Sequence, residues 1–481
     1  MKRNFGTDGI RGRVPEELGF EDAFAVGYAT GRTWPSDHAL VGCDTRDSGA
    51  LLASGIIAGL SEAGVSAEWL GVATTPAIEH AAKSESVAGI VITASHNLHP
   101  DNGIKVFAPN GLKPDDAILK ELEAWFAYVP GSDRGATGRE ETGQGETGKG
   151  ETDSREAESS DKTSQLTADL KSFWQNPPND LSELNPHIRR YANFLPKIDL
   201  QGNTIVVDCA NGAATAIVPA VMRSFGAEVV AVGTSLNGTN INIGCGSTAP
   251  EMMAATTCER NAICGFALDG DGDRIVMATS SGKILEGDNL LAILAYDMKS
   301  RNQLAGETVV ITPMTNLGLR RAFTSWGLGF KEVPVGDRHI QRELVANGWS
   351  LGGEPSGHII ATRHSQASDG LLVALLVLDI MQRTATSLDD LAELFRPVPQ
   401  SLANVPVIGD QRELAKLIAP EVDKLQASHG DTARLVVRAS GTEPVLRIMV
   451  ESEDSQIRET VTQHLVALAE ELANKTSNQL N

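Results

Sequence analysis

The chain has 481 residues, of which 41% are hydrophobic and 21% are charged, as is ordinary for a globular protein. Its length exceeds what one hydrophobic core usually serves, so we expect several domains. The formal net charge of −21 argues against nucleic acid or an anionic membrane surface as a partner, although an anionic substrate can still bind a local cluster of arginines.

The N-terminal residues have no apolar run after Lys2 and Arg3, so we predict no signal peptide. No segment approaches the ~20 apolar residues that a membrane-spanning helix needs. The five cysteines form no C-x-x-C pattern, which indicates reduced thiols in a cytoplasmic protein. We leave open whether the chain forms a homodimer.

Apolar runs with strand character alternate with segments of helical spacing along the first two-thirds of the chain. Residues 39–43 and 65–70 are typical of strands, whereas residues 50–63 and 76–82 have the period of helices. Alternating strands and helices predict a mostly parallel sheet covered by helices, so the expected fold class is α/β.

The chain divides into four predicted units, three of α/β character and a smaller C-terminal α+β unit. Their predicted bounds are residues 1–185, 186–286, 287–397 and 398–481. Residues 130–165 differ from the rest, because a five-residue repeat of Glu-Thr-Gly type leaves almost no apolar side chains there. Such a segment cannot bury enough surface to offset its ordering entropy, so we predict a disordered surface insertion.

Ser95 follows the apolar run 88–92, which predicts a buried strand. Ligands of open α/β sheets bind at the carboxyl ends of strands. Ser95 is therefore either a nucleophile or an ordinary turn residue, since Ser and Asn are common in turns.

Three carboxylates at alternate positions, Asp269, Asp271 and Asp273, lie between two apolar strands. In an extended loop these side chains point the same way and repel each other unless a cation joins them. Oxygen ligands suit a hard ion such as Mg²⁺ or Ca²⁺. An EF-hand is excluded, because Arg274 and Ser280 stand where that loop needs Gly and Glu. The alternative is an acidic surface turn.

Two glycine-containing loops have arginines that suit an anion. The first, residues 6–13, contains Arg11, and the alternative there is a plain N-terminal turn. The second follows a predicted strand and offers backbone N–H groups, two hydroxyls and two guanidiniums, from Arg438, Ser440, Gly441, Thr442 and Arg447. It is either a phosphate-binding loop or a tight turn with surface arginines.

The polar loop 352–358 follows another predicted strand. Glu354 and Ser356 lie two residues apart and can face one ligand together. A carboxylate accepts hydrogen bonds from sugar hydroxyls, and a serine hydroxyl donates or accepts them. The alternative is a structural turn. Together the four motifs suit phosphoryl transfer to a polyol that has a second, non-reacting phosphate.

In this order, in four successive units, these motifs resemble those of the α-D-phosphohexomutases. The resemblance covers essentially the whole chain except the insertion and the polar tail after Asn474. Residues 5–12 and the pair Asp369 and Gly370, eleven residues after His358, most resemble the branch that acts on glucosamine phosphates.

Two positions depart from the family pattern. Leu98 stands where the family usually has proline after Ser-His-Asn, and Pro355 replaces the Gln or Asn that is usual in the glucosamine branch. The loop length to Lys105 is kept, so we expect altered loop rigidity and retained chemistry.

The resemblance implies that the domains surround a central cleft and that Ser95 accepts the phosphoryl group. It implies a Mg²⁺ cofactor held by Asp269, Asp271, Asp273 and a phosphate oxygen on Ser95. It also implies electrostatic or proton-transfer groups near the reacting oxygens, namely Arg11, Lys105 and His358.

A hexose phosphate is the implied substrate. The resemblance implies that Glu354 and Ser356 bind the sugar hydroxyls. It also implies that the distal phosphate binds the C-terminal loop, through Arg438, Ser440, Gly441, Thr442 and Arg447. The expected reaction interconverts glucosamine 6-phosphate and glucosamine 1-phosphate through a bisphosphorylated sugar. The alternatives are a phosphoglucomutase or phosphomannomutase, a metal-dependent sugar phosphatase, and a catalytically inactive phosphosugar-binding protein.

Overall fold

The computed structural model describes residues 9–127, 150–407, 410–440 and 444–479. The chain forms two compact units: unit 1 comprises Met1–Val310 and Gly336–Ala392, and unit 2 comprises Ile311–Val335 and Glu393–Asn481. Over the described ranges, every helix is too short or too polar to cross a lipid bilayer. The four domain bounds given above stay predictions.

The first sheet of unit 1 is built from the N-terminal quarter of the chain. Its elements are β1 (Ile10–Arg13), α1 (Phe20–Thr33), β2 (His38–Cys43), α2 (Gly49–Glu62), β3 (Ser66–Val72), α3 (Thr75–Glu85), β4 (Gly89–Ile92), β5 (Asp101–Phe107) and α4 (Asp116–Ala127). The strand order is β1-β5-β4-β2-β3. Strand β2 is parallel to its neighbours β3 and β4, whereas β5 is antiparallel to β4 and β1.

The second sheet of unit 1 has the same pattern of strand directions, but its antiparallel edge strand comes last in chain order, whereas β1 comes first. After α5 (Gly150–Gln175) and α6 (Pro186–Phe194) come β6 (Thr204–Asp208), α7 (Val218–Ser224), β7 (Glu228–Val232), α8 (Glu251–Glu259), β8 (Cys264–Leu268), β9 (Ile275–Thr279) and β10 (Ile284–Leu285). The order is β10-β9-β8-β6-β7, with β6 parallel to β7 and β8 and with β9 antiparallel to β8 and β10. The two sheets therefore have the same design.

The third stretch shows part of the same pattern. Its elements are α9 (Gly287–Ser300), β11 (Thr308–Ile311), α10 (Leu317–Ser325), β12 (Gly329–Glu332), α11 (Asp337–Asn347), β13 (Leu351–Gly353), β14 (Ile359–Ala361), α12 (Gly370–Thr384) and α13 (Leu388–Leu391). β13 is parallel to β11 and antiparallel to β14. Of these elements, α10 and β12 belong to unit 2.

Unit 2 contains an antiparallel sheet covered by helices. Its C-terminal elements are β15 (Gln400–Pro406), α14 (Gln411–His429), β16 (Ala433–Ala439), β17 (Val445–Ser452) and α15 (Ser455–Gln479), and the strand order is β15-β17-β16. Val405, Ile448 and Leu465 lie in its buried core. The predicted α+β character of the C-terminal part is confirmed.

The predicted disordered insertion requires a correction. Residues 130–149 lie outside the described residues, but residues 150–165 belong to helix α5. The last complete Glu-Thr-Gly unit ends at Gly150, and residues 151–165 contain no Gly or Pro to interrupt a helix. Leu166 and Leu170, one helical turn apart, are buried in the core of the first sheet and anchor the helix.

Helix α12 begins with Asp369 as its N-cap. Asp369 Oδ1 accepts a hydrogen bond from the Leu372 N–H at 2.9 Å, and Oδ2 accepts one from the Tyr191 hydroxyl at 2.8 Å. Asp369 is only 2% exposed. Burial raises its pKa to about 6, against the opposing effect of these hydrogen bonds.

Stability should therefore decrease as the pH rises through the range in which Asp369 ionises. The folded carboxyl keeps its proton up to about pH 6, whereas the unfolded one loses it near pH 4, so the folded state binds more protons in this window. Asp369→Asn keeps the cap acceptor, and we expect it to raise the free energy of unfolding above pH 6 by up to about 3 kcal/mol. Urea unfolding of both proteins from pH 4 to 7.5 measures this, and equal pH slopes would contradict it.

Candidate active site

Three polar loops occupy equivalent positions in the three related sheets. The Ser95 loop connects β4 to antiparallel β5, the aspartate loop connects β8 to antiparallel β9, and the Glu354 loop connects β13 to antiparallel β14. In each case the preceding strand is parallel to an interior strand. The loops therefore lie at the carboxyl ends of parallel strands, where open α/β sheets bind ligands.

Ser95 is held in a left-handed backbone conformation, with φ of 54°. This conformation is uncommon for a residue with a side chain and costs on the order of 1–3 kcal/mol. Ser95 is buried, and its N–H donates to Thr93 Oγ1 at 2.8 Å. Its hydroxyl donates to Asp269 Oδ2 at 2.5 Å across a separation of 174 residues. The bent loop thus directs the serine oxygen at the aspartate loop.

The aspartate loop brings its three carboxylates together. One ligand oxygen from each of Asp269, Asp271 and Asp273 lies within 4.8 Å of the other two, and all three residues are buried. Gly272 makes the tight turn possible, because it has φ of 78°, which favours glycine. Elsewhere in the described ranges, no other cluster of His, Cys, Asp and Glu side chains has such spacing.

The charges of this cluster are strongly coupled to their neighbours. Burial, and then the charges of Asp273 and Asp271, raise the pKa of Asp269 to about 7. Burial also acts to raise the pKa of Asp273, but Lys105 and His358 hold it well below its usual value. The Lys105 ammonium donates to Asp271 Oδ2 at 2.8 Å and to Asp273 Oδ2 at 2.9 Å.

The donor set fits a hard divalent cation. Asp271 Oδ1 is buried and has no hydrogen-bond partner among the residues that the structure describes, which leaves it available as a ligand. Carboxylate oxygens are the ligands that Mg²⁺ prefers, and Mg²⁺ usually keeps positions for phosphate oxygens or water. The residues that would hold such an ion are Asp269, Asp271 and Asp273, together with the oxygen on Ser95.

The Glu354 loop joins this network through His358. His358 Nε2 lies 2.9 Å from Asp273 Oδ1, and Nδ1 lies 3.3 Å from Glu354 Oε2. Burial acts to lower the pKa of His358, but the Asp273 charge raises it to about 10, so the imidazolium donates to both carboxylates. Glu354 Oε1 accepts the Gly336 N–H at 2.9 Å. Ser356, in the same loop, is exposed.

Arg11 approaches the Ser95 loop from the edge strand β1, which pairs Arg11 with Gly103 of β5. Arg11 Nη1 donates to Asn97 Oδ1 at 3.4 Å, two residues after Ser95. The Ser95 loop is therefore in contact with the aspartate loop through Asp269 and with Arg11 through Asn97.

The predicted phosphate-binding residues lie in unit 2. Arg438 of β16 and Arg447 of β17 are directly paired in the antiparallel ladder, so their side chains leave the same face of the sheet about 5 Å apart. Ser440 is buried, and its N–H donates to the Val445 carbonyl at 2.9 Å. Gly441 and Thr442 lie outside the described residues. Two adjacent guanidiniums suit a dianionic phosphate.

Sequence reasoning missed Thr75, a further contact of the aspartate loop. Its Oγ1 donates to Asp271 Oδ2 at 2.6 Å, and its N–H donates to the Asp271 carbonyl at 2.9 Å. Thr75 is the first residue of α3, and two residues separate it from the end of β3. The pattern of a strand followed by Thr-Thr-Pro signals a helix start at the ligand-binding edge of a sheet and could have identified this residue.

Comparisons with known proteins agree with this architecture. Four profiles of the phosphoglucomutase/phosphomannomutase family match successive stretches: alpha/beta/alpha domain I on residues 2–129, domain II on 185–282, domain III on 286–398 and the C-terminal domain on 396–468. The chain belongs to this family of phosphohexomutases, which are intramolecular phosphotransferases. The predicted family and fold class are confirmed.

Three full-length relatives with similar sequences have the same name. A phosphoglucosamine mutase of Shewanella amazonensis is 38% identical and matches over 98% of both chains. Phosphoglucosamine mutases of Nocardia farcinica and Geotalea daltonii are 38% and 39% identical, with coverage of this chain of 98% and 94% and of the relatives of 100% and 94%.

Solved structures share the fold at low sequence identity. A phosphoglucomutase/phosphomannomutase family protein from Burkholderia thailandensis has a TM-score of 0.71 at 22% identity, covering 97% of both chains. The Aspergillus fumigatus N-acetylphosphoglucosamine mutase, solved in complex with GlcNAc-6P and magnesium, has a TM-score of 0.64 at 15% identity and covers 98% of this chain and 96% of its own.

Proposed function

We propose that the protein is a phosphoglucosamine mutase, which interconverts glucosamine 6-phosphate and glucosamine 1-phosphate. The observation that supports the phosphotransferase chemistry is the hydrogen bond of 2.5 Å from the Ser95 hydroxyl to Asp269 within the buried aspartate cluster. The choice of sugar is supported by full-length relatives of that name at 38–39% identity.

The proposed cofactor is Mg²⁺, held by Asp269, Asp271, Asp273 and a phosphate oxygen on Ser95. When bound, the ion neutralises the charge of the transferring phosphoryl group. The proposal is supported by the spacing and burial of the three carboxylates and by the Asp271 oxygen that has no partner in the described part of the chain.

In the proposed reaction, phosphorylated Ser95 gives its phosphoryl group to a hydroxyl of the bound sugar phosphate. The bond between Ser95 Oγ and phosphorus breaks, a bond between phosphorus and the sugar oxygen forms, and the hydroxyl proton ends on Ser95 Oγ. The bisphosphorylated sugar then turns over, and its other phosphoryl group returns to Ser95. Lys105, His358 and Arg11 supply positive charge near the reacting oxygens.

The proposed substrate contacts follow from the remaining polar loops. Glu354 binds sugar hydroxyls, because its carboxylate is oriented by the Gly336 N–H and by His358. Ser356, which is exposed, supplies a second polar group. The phosphate that does not react binds the set Arg438, Ser440, Gly441, Thr442 and Arg447. Since the sugar must turn over, this set must accept a phosphate from either end of the substrate.

Relative kcat/KM values for glucosamine 6-phosphate, glucose 6-phosphate and mannose 6-phosphate, measured in coupled assays, test the proposed substrate. We expect glucosamine 6-phosphate to be preferred by about tenfold or more, as is typical when a site distinguishes one polar substituent. A strong preference for glucose or mannose would instead assign a phosphoglucomutase or phosphomannomutase. Release of inorganic phosphate faster than isomer formation would indicate a phosphatase. A cytoplasmic location and a homodimer stay predictions.

A further inference from the structure

A buried arginine lies beneath the Ser95 loop. Arg46 follows β2 in the chain and has a fully buried side chain. Its guanidinium donates to four backbone carbonyls: Nη2 to those of Ser95 at 3.1 Å and Asn97 at 2.8 Å, and Nη1 to those of Leu98 at 2.8 Å and Asp101 at 3.0 Å. One side chain therefore contacts most of the backbone that turns from β4 into β5.

Asp44 fixes the orientation of this guanidinium. Asp44 Oδ2 accepts from Arg46 Nε at 2.9 Å and also from Thr93 Oγ1 at 2.7 Å. Thr93 Oγ1 in turn accepts the Ser95 N–H. Both ends of the Ser95 peptide backbone are thus tied to the same ion pair, its N–H through Thr93 and its carbonyl through Arg46.

A second side chain reaches the same carbonyls from the other sheet of unit 1. Asn242, in the segment after β7, donates through Nδ2 to the carbonyls of Ser95 at 2.9 Å and Asn97 at 3.0 Å. Gly270 of the aspartate loop lies so close to the Ser95 carbonyl that a Cβ at position 270 would be 2.6 Å from the carbonyl oxygen. The Ser95 carbonyl is therefore fixed relative to the loop that contains Asp269.

We infer that Arg46 and Asn242, here called the carbonyl clamp, are positioning residues for phosphoryl transfer. They hold Ser95 in its left-handed conformation, so that Oγ meets Asp269, and they act through the backbone of the loop. This inference rests on the proposed function, because it assigns the clamp to the residue that accepts the phosphoryl group. A purely structural role would predict lower stability without a selective loss of the transfer step.

Asn242→Gly tests the carbonyl clamp most selectively. Asn242 has φ of 59°, a conformation that glycine adopts without strain, so the substitution removes the amide and preserves the backbone. The matched control is Asn261→Gly, where an exposed asparagine has φ of 50°.

Arg46→Lys keeps the charge but cannot reach four carbonyls. Its control is Arg434→Lys, since Arg434 also pairs with a carboxylate, Glu451, and donates to backbone carbonyls in unit 2.

Two measurements test the clamp. In rapid-quench experiments with glucose 1,6-bisphosphate, intact mass reports the rate of Ser95 phosphorylation. We expect this rate to fall about tenfold in Asn242→Gly and about 100-fold in Arg46→Lys, with KM changed less than about twofold, because misplacing a reacting group by about 1 Å costs that much. Amide hydrogen exchange across residues 93–101 should accelerate in both variants, and the two controls should behave as wild type.

Wild-type phosphorylation rates in both clamp variants would overturn the inference, as would unchanged exchange across residues 93–101. Failure of the proposed function would give a different result from failure of the clamp. If wild-type protein is not phosphorylated on Ser95, the phosphotransferase proposal fails, and with it the catalytic role of the clamp. Exchange data would then still report whether Arg46 and Asn242 fix the loop.

Discussion

Ser95→Ala is expected to lower kcat for sugar-phosphate isomerisation by about 10⁴-fold or more, because it removes the atom that accepts the phosphoryl group. The substitution deletes one oxygen from a buried residue that also donates to Asp269. Losing this donor leaves the folded backbone intact, so circular dichroism and the melting temperature should change little. Steady-state assays with glucosamine 6-phosphate and an activating bisphosphate measure the effect.

Ser86→Ala is the matched control for this variant. Ser86 also has a left-handed backbone, with φ of 57°, but it is an exposed residue at the end of α3. The same substitution in the same backbone conformation should leave kcat and KM at their wild-type values. Retention of more than a few per cent of activity in Ser95→Ala would show that another group accepts the phosphoryl group.

Asp271→Asn is expected to lower kcat by about 10²–10³-fold, since charge stabilisation by a metal ion contributes several kcal/mol and each 1.36 kcal/mol is a factor of ten. Asp271 is fully buried and has one oxygen bonded to Lys105 and Thr75. Its other oxygen has no partner in the described part of the chain. Asparagine keeps the shape of the side chain but removes the charge that a hard cation requires.

Mn²⁺ titration followed by electron paramagnetic resonance gives an independent readout, and we expect the affinity to fall at least tenfold in Asp271→Asn. The control is Asp297→Asn, which alters another buried aspartate, paired with Arg383 at 2.6 Å. This control should lose stability but keep Mn²⁺ affinity. Wild-type Mn²⁺ affinity and kcat in Asp271→Asn would contradict the assignment of the metal site.

Local sequence patterns were sufficient for several regular elements of the first sheet. The predicted strands 39–43 and 65–70 correspond to His38–Cys43 and Ser66–Val72, and the predicted helix 50–63 corresponds to Gly49–Glu62. The helix Gly150–Gln175 was not predicted, because its anchoring residues Leu166 and Leu170 lie beyond the polar stretch from which disorder was inferred. Burial at one end of a helix can order a polar segment that has no core of its own.

The residues that form the candidate site could be named from the sequence, whereas those that hold it in place could not. Ser95 and Asp269 belong to recognisable motifs with chemistry of their own. Arg46, Asn242 and Thr75 act through contacts with residues 49 to 196 positions away. The contacts of Asn242 and Thr75 depend on how the two related sheets of unit 1 pack, and those of Arg46 depend on how β2 and β4 are arranged in the first sheet. Local periodicity contains no information about either arrangement.

Peptide mass spectrometry after incubation with glucose 1,6-bisphosphate and Mg²⁺ tests the central claim most directly. Trypsin releases residues 84–105, which contain Ser84, Ser86 and Ser95. We predict one phosphate, on Ser95, that disappears when glucosamine 6-phosphate is added. Phosphate on another residue, or phosphate on Ser95 that no sugar phosphate removes, would contradict the account.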